Sequence, residues 1–138
     1  MWTMPPEWQP HSATWMGFPT GAYDTAGVSD DDVFDAWSMV ANTISEHEPV
    51  HMLCHPGQLA IARKKLASAV TLHAFEIDDA WMRDSGPTFV IGDQSLGGVD
   101  WVFNGWGDHT AFDWRQDAKV ASHIIELTGA KLLGSDLV

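Results

Sequence analysis

The spacing of hydrophobic residues predicts strands that alternate with amphipathic helices. After Ser29, six apolar positions fall at offsets 0, 1, 4, 7, 8 and 11, which is the spacing of one helical face turned to a core. They are Val33, Phe34, Trp37, Val40, Ala41 and Ile44. Ser29 and the acidic run 30–32 are typical of a helix N-terminus, because a hydroxyl and carboxylates satisfy free N–H groups there. Gly129 indicates the end of a last helix over 114–127.

Short apolar runs bounded by Gly, Pro and polar residues predict the strands. These runs cover 13–18, 50–54, 70–77, 87–91 and 99–103, and a further strand begins at 131. A second helix is expected over 58–68 and a turn over 92–98. Polar connections are expected over 20–29, 78–86 and 104–113. The resulting order, β-α-β-α-β-β-β-α-β, predicts an α/β fold, and a length of 138 residues fits one domain.

Composition narrows the range of partners and compartments. The chain has 7 Lys and Arg against 19 Asp and Glu, a net charge of −12. Because so few basic residues are available to neutralise phosphates, neither nucleic acid nor an anionic membrane surface is an expected partner. The single Cys54 cannot form an intramolecular disulfide, no signal peptide is recognised, and no apolar run is long enough for a membrane helix. These features predict a soluble, cytoplasmic protein.

One group of side chains contains residue types that can bind a metal or act as a nucleophile, but their positions on a strand are unfavourable for both roles. His51 and His55 fall on one side of the strand and Cys54 on the other, without any zinc-ligand spacing around them. We therefore predict no metal and no cofactor, and a His51–His55 metal site is the least favoured hypothesis. A catalytic Cys54 would need an adjacent base, yet His55 points to the opposite face.

The segment 76–87 is the richest in reactive groups, with four carboxylates and Arg83 in a connection between strands. Such connections usually display binding groups. Asp84 close to Trp81 matches a planar cation, because a guanidinium can donate two parallel N–H bonds to a carboxylate while lying against an indole. The alternative is that Asp84 pairs with Arg83 or caps the turn that follows.

Three motifs resemble those of agmatine deiminases and the related bacterial-type peptidyl-arginine deiminases. The motifs are MPPEWQPH with TWM at 4–11 and 14–16, DAWMRDSGPTFV at 79–90, and GVDW with FNGWG at 98–101 and 103–107. They occur in the order found in that family and extend over nearly the whole chain. A WxRD match alone would carry little weight, whereas three long motifs in order identify the resemblance.

The resemblance implies a fold and a reaction. The fold is the α/β propeller called the pentein or guanidino-group-modifying fold, with five ββαβ-like units. Residues 1–138 would form a single N-terminal portion of this propeller, comprising about two of the five units. In the reaction, a cysteine attacks the guanidinium carbon, ammonia leaves, and water hydrolyses the amidino-thioether. A histidine acts as acid and base, and two carboxylates hold the guanidinium. By position, Asp84 is similar to the first carboxylate and Trp81 to the tryptophan beside it.

The resemblance also implies what the chain lacks, because in the family the nucleophile, the histidine and the second carboxylate lie later in a longer chain. Cys54 matches no catalytic position. We therefore expect part of a guanidine hydrolase that converts agmatine and water to N-carbamoylputrescine and ammonia on a polyamine route. It would be inactive alone and would associate with the missing C-terminal part. Peptidyl-arginine is the other substrate that the resemblance allows.

The alternative function is a truncated, non-catalytic binding or assembly module. A propeller without most of its units leaves sheet edges uncovered, and such edges favour pairing with another chain. This alternative predicts a homo-oligomer.

Overall fold

The computed structural model describes residues 1–21, 27–92, 94–108 and 112–134, which form two compact units. The parallel-sheet unit comprises His11–Met82, and the mixed-sheet unit comprises Met1–Pro10 with Arg83–Val138. Each unit contains one three-stranded sheet. Parts of three predicted connections, residues 22–26, 93 and 109–111, lie outside the described residues, as do the last positions 135–138. Within the described ranges, no helix has the length and apolar character needed to cross a bilayer.

The parallel-sheet unit is built from strands joined by helical crossovers, because parallel neighbours cannot be joined by a tight turn. Its strands, in sheet order, are β1 (Thr14–Gly17), β2 (Val50–Cys54) and β3 (Val70–Ala74), and both pairs are parallel. Its helices are α1 (Asp30–Ser45) and α2 (Leu59–Lys65), the latter preceded by a 3₁₀ turn at Pro56–Gln58. The predicted start of α1 is confirmed, since the Ser29 hydroxyl accepts a 3.2 Å hydrogen bond from the Asp32 amide. Helix α2 is shorter than the predicted 58–68.

A cluster of buried side chains forms the core of this unit between its sheet and helices. It comprises Phe18, Phe34, Ala41, Val50, Met52, Cys54, Ala62 and Val70. The rings of Phe18 and Phe34 stack with centroids 5.4 Å apart. The predicted core face of α1 needs one correction, because Val40 is 47% exposed while Ser38 is buried. At 3.6 residues per turn, Val40 lies roughly 120° around the helix from the buried stripe of Phe34, Ser38 and Ala41.

The mixed-sheet unit combines a hairpin with one parallel strand. In sheet order its strands are β4 (Thr88–Ile91), β5 (Leu96–Asp100) and β6 (Lys131–Gly134). The pair β4–β5 is antiparallel and the pair β5–β6 is parallel. Its helical segments are α3 (Met82–Ser85), which begins at the boundary between the units, α4 (Gly105–Asp108) and α5 (Val120–Thr128). The predicted end of the last helix is confirmed, because Gly129 has a left-handed φ of 65°.

Several predicted boundaries of strands and helices in the two units are wrong. Strand β5 runs over Leu96–Asp100 rather than 99–103, and the last α-helix starts at Val120, after a 3₁₀ turn at Asp117–Lys119, rather than at 114. Strand β3 ends at Ala74 rather than 77. The glycines that predicted a turn over 92–98 lie partly inside β5, because they permit close packing. A Cβ on Gly97 would lie 2.9 Å from Leu133 Cδ1.

Candidate functional site

Asp84 lies on the short helix α3 in the mixed-sheet unit, and its side chain is exposed. Its Oδ1 accepts a hydrogen bond from Trp106 Nε1, with a donor–acceptor distance of 3.1 Å. Its neighbour Arg83 instead donates to Glu7 Oε1 at 2.9 Å, forming an exposed ion pair. The alternative in which Asp84 pairs with Arg83 is therefore wrong. Arg83 therefore does not neutralise the Asp84 carboxylate.

Trp81 lies in the parallel-sheet unit, and two neighbours hold its indole. Its Nε1 donates to Asp79 Oδ2 at 2.8 Å, and its ring meets the Trp37 ring edge-on with centroids 6.2 Å apart. Asp79 Oδ1 in turn accepts from the Ala80 amide at 2.7 Å. The side chain of Trp81 is 46% exposed. Sequence reasoning missed the contact with Asp79, although a carboxylate two residues before a tryptophan was a usable signal.

Trp106 was not predicted as a site residue, and the structure gives it two unusual features. It donates to Asp84, 22 positions earlier in the chain. It also has a φ of 58° and a ψ of 40°, a left-handed conformation that is rare for a residue with a side chain. Such strain costs about 1–3 kcal/mol and is concentrated at functional sites. The flanking Gly105 and Gly107 were the sequence signal that this segment turns sharply.

Two further carboxylates of the mixed-sheet unit have perturbed environments. Asp100 ends β5 and is half-buried, and this burial raises the pKa of its carboxyl group. Asp113 accepts hydrogen bonds from the Arg115 side chain and amide, which hold the pKa of Asp113 well below its usual range. Asp113 is thus already neutralised by a cation of its own, in contrast to Asp84.

Cys54 occupies a site that favours the neutral thiol. Its side chain is fully buried in the core of the parallel-sheet unit, and its Sγ lies 3.5 Å from the His55 carbonyl oxygen. Burial raises the pKa of the Cys54 thiol to about 11. The His55 ring is engaged elsewhere, since its Nδ1 accepts from the Gly57 amide at 3.1 Å. A nucleophilic Cys54 is therefore physically unfavourable, because the reactive species is the thiolate.

The buried thiol predicts a loss of stability at alkaline pH. The unfolded thiol titrates near its ordinary pKa of 9.0 and the folded thiol near about 11, so the unfolded state loses its proton first. The contribution is fully present below pH 9.0 and is lost as pH rises toward about 11. We expect the unfolding free energy of the native chain to fall by about 2 kcal/mol more than that of Cys54→Ala between pH 8 and about pH 10.5. Urea unfolding at several pH values measures this difference, and parallel pH profiles for the two proteins would contradict it.

The structure separates the two histidines of the least favoured metal hypothesis. His51 Nδ1 lies 2.9 Å from His73 Nε2, and the ring of Trp15 stacks on that of His51 with centroids 4.7 Å apart. His55, as described above, contacts its own turn. In the part of the chain that the structure describes, no group of three or more His, Cys, Asp or Glu side chains is arranged to hold a metal ion.

The sequence matches the family of Porphyromonas-type peptidyl-arginine deiminases over residues 3–138. The chain belongs to this family. The resemblance carried by the three motifs is thereby confirmed. An agmatine deiminase from Pseudomonas aeruginosa is 41% identical over 90% of this chain and 35% of its own length. A Streptomyces coelicolor relative, whose agmatine deiminase name is provisional, is 47% identical over 98% of this chain and 40% of its own length.

Solved structures of deiminases have the same fold. The agmatine deiminase of Enterococcus faecalis superposes with a TM-score of 0.88 at 34% identity, covering 98% of this chain and 38% of that one. A Porphyromonas gingivalis structure at 23% identity has a TM-score of 0.78 and shows the fold alone. This α/β chain is thus consistent with part of the pentein fold, and it spans about 40% of the length of the relatives that it matches.

Proposed function

We propose that this chain supplies the first guanidinium-holding carboxylate, Asp84, and a neighbouring indole, Trp81, to an agmatine deiminase-like guanidine hydrolase. The observation that carries the proposal is the state of Asp84, an exposed carboxylate held by the neutral Trp106 indole while Arg83 is engaged by Glu7. A carboxylate in this state can accept two parallel N–H bonds from a guanidinium. The net charge of −12 further favours the approach of a cation.

The proposed reaction takes place when the chain acts together with the remaining part of such an enzyme. A cysteine thiolate attacks the guanidinium carbon of agmatine, the amino group leaves as ammonia, and water hydrolyses the amidino-thioether to N-carbamoylputrescine and the free thiol. Asp84 holds the guanidinium, and Trp81 is proposed as the accompanying indole because of its position in the same family motif. The propeller of five units, of which residues 1–138 form about two, is part of the same proposal. Agmatine is favoured over peptidyl-arginine because the named relatives at 34–41% identity are agmatine deiminases.

We expect the isolated chain to bind agmatine weakly, in the millimolar range, and Asp84→Asn to weaken that binding at least about tenfold. The reason is that the amide loses both the negative charge and one of two acceptor oxygens. Titration of ¹⁵N-labelled chain by NMR measures the affinity. Putrescine, with an ammonium in place of the guanidinium, should bind less tightly than agmatine. Glu126→Gln is the matched control, because it removes one exposed charge from the same unit, away from Asp84 in sequence.

Two results would contradict this proposal. Equal loss of agmatine affinity in Asp84→Asn and Glu126→Gln would mean that only net charge attracts the ligand. Steady formation of a ureido product by the isolated chain would contradict its inactivity, which follows from an unreactive Cys54.

The assembly-module alternative also has an observation in its favour. Strand β6 lies at the edge of its sheet, and Leu132 on it is 56% exposed. An edge strand with apolar side chains favours pairing with another chain. Sedimentation at micromolar concentration distinguishes the functions, because a monomer that binds agmatine supports the hydrolase and contradicts the module.

A further inference from the structure

The hydrogen bond between Trp106 and Asp84 joins a strained backbone position to the proposed guanidinium carboxylate. The indole N–H is a donor without a formal charge, so it orients the carboxylate without neutralising it. A Lys or Arg in the same place would pair with the carboxylate and compete with a cationic ligand. A tryptophan at this position can therefore fix the orientation of the carboxylate without cancelling its negative charge.

The turn that carries Trp106 is held by its own contacts. Gly105, Trp106 and Gly107 all have positive φ angles, of 63°, 58° and 102°. Asn104 Oδ1 accepts from the Gly107 amide at 3.0 Å, which closes the turn. Gly105 packs directly against the Trp114 ring, so that a Cβ there would collide with it. The surrounding structure thus imposes the left-handed conformation on Trp106, as expected where strain is retained for a purpose.

Two aromatic rings fix the orientation of the Trp106 indole. The Phe103 ring meets it edge-on with centroids 5.2 Å apart, and the Phe112 ring does so at 5.7 Å. Nevertheless Trp106 remains 45% exposed, so its position is not explained by burial in a core. Contacts with these two rings limit the rotation of the indole, and its N–H donates to Asp84 Oδ1.

We propose that Trp106 is a positioning residue that orients the Asp84 carboxylate for a planar guanidinium and so selects guanidinium over ammonium ligands. The indole N–H occupies one lone pair of Oδ1 and leaves Oδ2 and the remaining Oδ1 lone pair for two parallel N–H donors. An ammonium is a point charge that needs no such orientation. This inference rests on the proposed function of Asp84.

The test compares Trp106→Phe with Trp101→Phe in the whole 138-residue chain. Phenylalanine keeps an aromatic ring against Phe103 and Phe112 but cannot donate to Asp84. Trp101→Phe is the matched control, since Trp101 is 41% exposed and donates its indole N–H to Thr88 Oγ1 at 2.8 Å. We expect Trp106→Phe to lower agmatine affinity about five- to tenfold with little change for putrescine, and Trp101→Phe to change neither.

A spectroscopic readout separates positioning from a merely structural role. In the native chain the indole N–H of Trp106 donates to the Asp84 carboxylate, so Asp84→Asn should shift the Trp106 indole N–H resonance, whereas Glu126→Gln should not. If the indole N–H resonance of Trp106 does not respond to Asp84→Asn, the inference is overturned. The inference is also overturned if the native chain prefers agmatine and Trp106→Phe has the same ratio of agmatine affinity to putrescine affinity. That result does not contradict the proposed function. A native chain with no preference for agmatine overturns the proposed function and this inference together.

Discussion

Replacing Met52 with alanine is expected to lower the free energy of unfolding by about 3 kcal/mol. Met52 is fully buried on the central strand β2, opposite Met16 on one side and Leu72 on the other. Truncation removes the apolar transfer energy of the side chain and leaves a cavity on the face of the sheet beside Met16 and Leu72, which strands paired on both edges cannot easily close. Urea denaturation followed by tryptophan fluorescence measures the change.

Met39→Ala provides the control in the same unit. The substitution is identical, but Met39 is 66% exposed on α1, so we expect a change within about 0.5 kcal/mol. Similar destabilisation by the two variants would mean that the core of the parallel-sheet unit is not the one described around Met52.

Replacing Gly98 with alanine should destabilise the chain by about 2 kcal/mol. A Cβ at this position of β5 would collide with Ile125 Cγ1 and lie 2.8 Å from its Cδ1. Because Ile125 is buried on α5 and Cγ1 is close to the helix backbone, the side chain cannot swing away, and the helix must move from the sheet. Alanine also restricts the unfolded chain, which offsets part of this cost by up to about 1 kcal/mol.

Gly134→Ala in β6 is the matched control, because no atom of the described residues lies within 4 Å of its added Cβ. We expect it to be neutral or slightly stabilising. Amide hydrogen exchange locates the effect of Gly98→Ala, with faster exchange expected in β5 and α5 than in β2. Unchanged exchange in β5 and α5 would contradict the close packing of sheet and helix.

Predictions from local patterns were accurate where the structure depends on near neighbours. Strand β2 has the predicted bounds, 50–54, because an apolar run between polar residues is a local signal. The Ser29 cap and the Gly129 terminus were also correct, since both act within one helical turn. The position of β5 was wrong because the glycines at 97 and 98 lie in the strand for the sake of side chains that are distant in sequence.

The candidate site likewise has features that the local sequence predicted and contacts that it did not. Residue types in one short segment identified Asp84 and Trp81, and the three motifs identified the family, which the match over residues 3–138 confirms. The roles assigned to Asp84 and Trp81 stay predictions. No local pattern connects Trp106 with Asp84, and none indicates that Arg83 pairs with Glu7, a residue 76 positions away.

The sequence by itself determined the alternation of strands and helices, the acidic charge and the deiminase family of this chain. Periodicity and capping act over a few residues, and family motifs are strings of residues, so both are legible along the chain. Only the tertiary structure decided which group hydrogen-bonds to Asp84, that Cys54 is buried as a neutral thiol, and that Gly98 admits Ile125. Hydrogen bonding, desolvation and packing depend on distances in space, which the chain acquires only when it folds.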